Sequence, residues 1–244
     1  MPDSPKNHKA SITIWYCHLA QPFDQARLAL WASWLDPQET ARMNRFHRQA
    51  HRVRFLVSHA MTREVIARQC GATPSCIEFR ALAQGKPYIS SPTALQKYFF
   101  NLTHSHDMAA IAISDSSPLG LDLEWLGRKG PDVSLAGRYF TQREYKDILK
   151  QPAHLQHQRL LRYWTLKEAY IKAEGWGLSA GLDSFEFILS DTKPPRLHIC
   201  KPQATPRHAW QFQQFKLKDS HLVAIAGVAQ QGETLQTDCT AWSP

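Results

Sequence analysis

Residues 167–187 contain Lys167-Glu168-Ala-Tyr-Ile-Lys172-Ala-Glu-Gly175 and, a few residues on, Ser184-Phe-Glu-Phe187. This pattern predicts a helix stopped by a glycine in the left-handed cap conformation, followed by a strand. The same plan stands earlier in the chain as Arg63-Glu-Val-Ile-Ala-Arg68-Gln-Cys-Gly71 and Cys76-Ile-Glu-Phe79. A third match, Ala109-Ala-Ile-Ala112 against Val223-Ala-Ile-Ala226, keeps the same order at a similar separation. Self-similarity of this kind predicts a duplicated unit.

Outward from these blocks, residues 12–19 read as a strand and the Arg-rich run 37–70 as one or two helices. Residues 109–113 and 119–124 read as strands paired as a hairpin through the Ser114-Asp-Ser-Ser-Pro118 turn. Helices are expected at 141–150 and 154–174, and strands at 184–190, 196–200, 208–217 and 221–229, giving an α+β chain with antiparallel sheets. The 114–118 turn divides the chain into an N-terminal half, 1–117, and a C-terminal half, 118–244. The ends, 1–10 and 230–244, read as polar tails, and 191–195 and 201–206 as surface loops.

The 244 residues are 43% hydrophobic and 20% charged, ordinary globular usage. A formal charge of +8 favours anionic partners: nucleotides, nucleic acid, anionic lipid or acidic proteins. Five scattered cysteines with no C-x-x-C spacing argue against a disulfide framework or a structural zinc site. No apolar run approaches the roughly 20 residues of a membrane span and no secretory pattern opens the chain, so a cytoplasmic protein is expected.

Trp164, Glu168 and Lys172, four apart, share one side of their helix. A Glu–Lys pair at that spacing is most often a surface ion pair worth about 0.2–0.5 kcal/mol. A large apolar Trp164 in the same stripe points instead to a half-buried cleft wall. In Leu119-Gly-Leu-Asp122-Leu-Glu124 the leucines pack one face, so both acids occupy the other. With Glu168 they offer the hard oxygen donors that Mg²⁺ takes when it also binds phosphate.

Asn101-Leu-Thr103-His104-Ser-His106 ends an aromatic strand and supplies hydroxyl, imidazole and backbone donors suited to phosphate. His104 and His106 have a metal-ligand spacing, but no further His or Cys completes a zinc set. Gly85-Lys86-Pro87 joins backbone freedom to a cation, a combination plain turns also carry. Arg42, Arg45 and Arg48 lie on a helix too poor in aromatic residues to be a nucleic-acid platform.

Gly85-Lys86-Pro87, Asn101-Leu-Thr-His104-Ser105, Gly120-Leu-Asp122-Leu-Glu124, Phe140-Thr-Gln-Arg-Glu144 and Trp164-Thr-Leu-Lys-Glu168-Ala-Tyr-Ile-Lys172 together resemble the 4′-phosphopantetheinyl transferases, closest to the Sfp-type, W/KEA subclass. The resemblance covers roughly residues 38 to 190. It implies a fold of two similar halves related by a pseudo-two-fold axis, each with an antiparallel sheet packed on helices, and an active site between them. It implies transfer of 4′-phosphopantetheine from coenzyme A to a serine of an apo acyl, peptidyl or aryl carrier protein. Fatty acid, polyketide and nonribosomal peptide synthesis use this reaction.

By that resemblance Asp122, Glu124 and Glu168 hold Mg²⁺, for which Mn²⁺ can substitute, and Glu168 also assists removal of the serine proton. Lys172 meets the departing adenosine 3′,5′-bisphosphate. Arg42, Lys86 and His104 hold coenzyme A phosphates, Gly85 and Thr103 line the adenine and phosphate pocket, and Trp164 shapes the site and orients Glu168. Thr103 stands where Ser is usual and Glu39 where Lys sometimes occurs, which makes Arg42 the choice for the phosphate and Arg45 its reserve. Glu64 and Arg68, counterparts of Glu168 and Lys172 in the first half, are expected to be structural.

A monomer is expected, with no nucleic-acid or membrane partner, and the stretch between about 125 and 160 is the expected carrier-facing loop. Two rivals are a metal-dependent nuclease and a silent carrier-protein binder. Nucleases of that kind commonly set acid and Lys two apart on a strand, not four apart on a helix. The presence of all three acids and Lys172 argues against the silent binder.

Overall fold

The helix predicted from the opening stretch runs Ala153–Glu174 (α6) and stops at Gly175, whose φ of 71° accepts the left-handed cap that a side chain would strain. The computed structural model describes residues 11–69, 71–127, 133–177, 181–229 and 232–243, so the expected tail at 1–10 lies outside the described residues. The earlier helical run splits into Pro37–Asn44 (α2) and Gln49–Arg68 (α3), preceded by Gln25–Ala32 (α1). Val133–Tyr139 (α4) and Gln142–Leu149 (α5) are the other α-helices among the described residues. The stretch 125–160, expected as a loop, is therefore mostly helical, with 128–132 outside the described residues.

Four strands, Ser11–His18 (β1), Phe99–Ser105 (β4), Met108–Ser114 (β5) and Gln236–Ala241 (β11), form one sheet in the order β11-β1-β5-β4. Leu119–Trp125 (β6), Trp210–Leu217 (β9) and His221–Val228 (β10) form a second, ordered β6-β10-β9. Two hairpins flank them: Glu78–Ala81 (β2) with Pro87–Ser91 (β3), and Phe185–Ile188 (β7) with Arg196–Ile199 (β8).

Two sequence expectations fail here. Met108–Ser114 and Leu119–Trp125 do not pair as a hairpin: β5 lies between β1 and β4, while β6 crosses into the second sheet against β10. Both are buried along nearly their whole length, so alternation could not say which neighbour each takes. Residues 236–241, expected in a tail, form a strand parallel to β1, from Ser11 opposite Gln236 to Tyr16 opposite Ala241. This mostly exposed edge strand, Gln-Thr-Asp-Cys-Thr-Ala, has no apolar face to betray it. Trp242 anchors it, 3% exposed and packed 5.3 Å from Trp31.

Among the described residues the core has three parts. One lies between α3 and the first sheet, around Val57, Met61 and Ile111. Another surrounds α6, with Leu166, Tyr170, Phe185 and Phe212. The third joins the two sheets face to face through Ile12, Ile14, Ala112, Leu121, Leu123 and Ile225. A fully buried residue of this size contributes about 1.5–3 kcal/mol. Along β4 and β6 the sheets are also stitched by side chains: Leu121 N–H donates to Asn101 Oδ1 (2.8 Å) and Trp125 N–H to Ser105 Oγ (3.0 Å).

Similar buried contacts recur at the two places where the sequence blocks repeat. Asp36 and Glu39 form a capping box on α2, and Thr141 and Glu144 form one on α5. Fully buried Arg63 donates to Glu39 and to the carbonyls of Pro74 (3.1 Å) and Ile77 (2.6 Å). Fully buried Lys167 donates to Glu144 (2.9 Å) and to the carbonyls of Leu182 (2.6 Å) and Phe185 (2.7 Å). Each long helix is thus fixed by one cation to the preceding helix start and to the segment that leads into the following strand. Removing either partner would leave an uncompensated buried charge, at a cost of about 3–5 kcal/mol.

Candidate active site

Gly120 lets α6 lie directly on β6. A Cβ there would stand 2.1 Å from Ala169 O and 2.4 Å from Ala173 N. With Ala169 and Ala173 on the facing side of the helix, this close approach carries Lys172 to the strand. Its Nζ donates to Asp122 Oδ1 at 2.6 Å and reaches Leu121 O (3.3 Å) and Thr103 Oγ1 (3.4 Å). Thr103 in turn lies 3.4 Å from Asp122 Oδ1. Lys172 is therefore tied across the sheet junction to Asp122 rather than along its own helix to Glu168.

Asp122 is 5% exposed and its other oxygen, Oδ2, is buried with no hydrogen-bond partner. Burial pushes its carboxyl up to about 7; Lys172 opposes this, while Glu168 and Glu124 reinforce it. Glu168, half-buried, is raised as well, by burial and by Glu124 against the pull of Lys172. Glu124 is 8% exposed and accepts from Ser105 Oγ at 2.9 Å. Three carboxylates thus share one region with an unsatisfied buried oxygen among them, a donor set that suits a hard divalent cation. Their oxygens do not all stand within 4.8 Å of one another; among the described residues, only Glu186, His198 and Cys200 form such a group.

Two clefts flank this cluster. The smaller, about 250 Å³, is lined by Gly85, Lys86, Asn101, Glu168, Lys172 and Gly175, among others. Lys86 Nζ donates to Ala173 O (2.7 Å) and Leu119 O (3.1 Å), joining the end of α6 to β6. Burial lowers its pKa to about 8, Glu174 opposing and Arg207 adding to the shift. The larger cleft, about 700 Å³, is walled by Arg42, Arg54, Phe55, His59, Gly85 and His104 with others. His59 stacks on Phe55 with centroids 3.9 Å apart, and the Arg42 guanidinium lies 5.7 Å from the Phe55 centroid. The His104 pKa is lowered by burial and then by Lys172, His59 and Arg42, which marks a field that favours anions.

Asp122, Glu124, Glu168, Lys172 and Thr103 therefore gather at the junction, and Arg42 and His104 face the larger cleft. Arg45 does not line it, and Glu39 instead holds His59 Nδ1 at 2.6 Å and Arg63. Thr103 belongs to the acid–lysine network and not to the larger cleft's wall. Trp164 packs against Phe140, centroids 6.5 Å apart, and lines neither cleft. His106 takes a φ of 54° in the β4–β5 turn and stacks on Trp125 at 4.0 Å, a turn role instead of a ligand one. Sequence reading missed Arg54, Phe55 and His59; the turn-by-turn spacing of Phe55 and His59 on α3 was the available signal. As expected, Arg68 pairs with Glu64, which also accepts from Trp242 Nε1.

The model of the 4′-phosphopantetheinyl transferase superfamily matches residues 118–226, and that of the 4′-phosphopantetheinyl transferase N-terminal region matches 21–116. The chain is 34% identical over 215 residues to 4′-phosphopantetheinyl transferase HetI of Nostoc sp., covering 88% of this chain and 86% of that protein. It is 33% identical over 176 residues to 4′-phosphopantetheinyl transferase Sfp of Bacillus subtilis, covering 72% and 76%. A human relative, L-aminoadipate-semialdehyde dehydrogenase-phosphopantetheinyl transferase, is 27% identical over 208 residues, 79% of this chain and 66% of that one. With these matches spanning most of its length, the chain belongs to the 4′-phosphopantetheinyl transferase family.

Proposed function

We propose that this enzyme moves 4′-phosphopantetheine from coenzyme A to a serine hydroxyl of an apo acyl, peptidyl or aryl carrier protein, in fatty acid, polyketide or nonribosomal peptide synthesis. The observation that carries the reading is the buried, unpartnered Asp122 Oδ2 beside Glu124, Glu168 and Lys172, next to a cleft with Arg42 and His104 on its wall. Asp122, Glu124 and Glu168 would hold Mg²⁺, or Mn²⁺ in its place. The ion, when bound, would offset charge on the coenzyme A diphosphate.

The chain's own groups divide the remaining work. Arg42 and His104 would bind phosphate in the larger cleft, with Arg54 beside them, and the Phe55–His59 stack offers a flat face to a base. Lys86, from the smaller cleft, would add a cation to the same phosphates, and Gly85, which lines both clefts, leaves room for them. Glu168, raised above the usual carboxylate range, is suited to take the serine proton as oxygen attacks phosphorus. Lys172 would meet the negative charge that develops on adenosine 3′,5′-bisphosphate as the old P–O bond breaks. Trp164, one turn before Glu168, would orient it through its packing on Phe140.

We take residues 1–117 and 118–244 as two halves related by a pseudo-two-fold axis, with the site between them; the paired Arg63–Glu39 and Lys167–Glu144 contacts support this. A net charge of +8 suits an acidic carrier. No helix among the described residues is long and apolar enough to cross a membrane. A cytoplasmic monomer without nucleic-acid or membrane partners fits this role. The test is release of adenosine 3′,5′-bisphosphate from coenzyme A and Mg²⁺, followed chromatographically with and without apo carrier. Release only with the carrier is expected; release without it would turn the reading toward hydrolysis.

A further inference from the structure

Far along the chain from the acid–lysine junction, the β7–β8 hairpin assembles a second set of donors. Glu186 stands directly opposite His198 in the antiparallel register, and Cys200 follows His198 by two residues. Strand alternation therefore puts His198 and Cys200 on the face that Glu186 shares. One donor atom from each, a carboxylate oxygen, an imidazole nitrogen and the thiol sulfur, lies within 4.8 Å of the other two. Glu186 is buried, while His198 and Cys200 are exposed, so the group opens to solvent on one side.

We propose that Glu186, His198 and Cys200 form a site for a divalent cation of the zinc class, bound by three protein ligands and one water. The mixture of thiolate, imidazole and carboxylate matches the borderline-soft preference of Zn²⁺ and excludes Mg²⁺, which takes oxygen donors. No cysteine spacing announces the site because its third donor arrives from the neighbouring strand. Glu186 is already positioned by its surroundings: Thr141 Oγ1 donates to it at 2.9 Å and Arg143 Nη1 at 3.2 Å. Thr141 can remain as an orienting partner of the ligating carboxylate. The Arg143 side chain is 63% exposed and free to swing into solvent as the cation takes its place.

Binding would expel the thiol proton to solvent, so affinity rises with pH. The hairpin so fixed is the one whose Phe185 carbonyl receives Lys167, the residue before Glu168, which links the site mechanically to the catalytic helix.

The experiment is titration of the full chain, stripped of metal with chelator, by Co²⁺, followed by its thiolate-to-cobalt absorption. Cobalt at the oxygen-rich junction gives no such band, so the two sites are told apart. We expect one equivalent of Co²⁺ to raise the band and Zn²⁺ to abolish it. Cys200→Ser should lose the band with transfer activity in Mg²⁺ unchanged, His198→Asn should weaken binding at least tenfold, and Cys76→Ser and Cys239→Ser should retain it. No band in the native protein, or an undiminished one in Cys200→Ser, overturns the proposal.

Discussion

Glu64 and Glu168 occupy equivalent places in α3 and α6, each four residues before a basic side chain, and the structure uses them differently. Arg68 turns back to Glu64, whereas Lys172 leaves Glu168 and bonds to Asp122. Glu168 thus keeps a raised carboxyl at the edge of a cleft, while Glu64 is held between Arg68 and Trp242. Glu168→Gln, which removes charge and little volume, should lower the transfer rate about 10²–10⁴-fold in steady-state assays with an unchanged unfolding midpoint. A rate equal to the native one would return Glu168 to surface electrostatics.

Asp122 yields a pH prediction at the same scale. Its folded carboxyl titrates at about 7 against an ordinary 3.8, so the folded state binds that proton more tightly than the unfolded chain. The stabilisation is complete below the ordinary value and is lost as pH rises through 7. In metal-free protein, urea unfolding between pH 4.5 and 7.5 should show native stability falling relative to Asp122→Asn, by at most about 1.4 kcal/mol per pH unit. Parallel pH profiles would contradict the assignment. Spacing alone put Asp122 and Glu124 on one strand face and Glu168 and Lys172 on one helix side, while the grouping of all four came from the family resemblance; that Lys172 seeks Asp122 was not legible, because that choice depends on how two distant elements cross.

At the level of elements, the site exists because α6 sits unusually close to β6. Gly120 removes the side chain that would otherwise strike Ala169 O and Ala173 N, backbone atoms that cannot rotate away. Gly120→Ala should cost about 1–3 kcal/mol in urea unfolding and reduce transfer further by moving Lys172 away from Asp122. A variant with native stability and rate would show the close packing to be incidental. Helix α6 was readable because its apolar spacing, its terminal glycine and the following strand agree. Pairing was not: β5, apolar on both faces, and β6, buried on both although two acids line one of them, gave no sign of which sheet each joins, and polar β11 gave no sign of being a strand.

Across the whole molecule, two sheets joined through a shared core bring an acid–lysine cluster from one part of the chain against a basic cleft from the other. The repeated blocks in the sequence led to the expectation of two related halves, and buried Arg63–Glu39 and Lys167–Glu144 pairs stand at matching places in those blocks. The wall of the larger cleft was only partly foreseen, since Arg54, Phe55 and His59 look like ordinary helix residues until the hairpin β2–β3 closes over them. Carrier modification at this junction is tested by the intact mass of an apo acyl carrier protein incubated with the enzyme, coenzyme A and Mg²⁺, beside an EDTA control. Gain of one phosphopantetheine that EDTA prevents is the predicted result; no gain with acyl, peptidyl or aryl carriers, or gain that survives EDTA, would contradict the account.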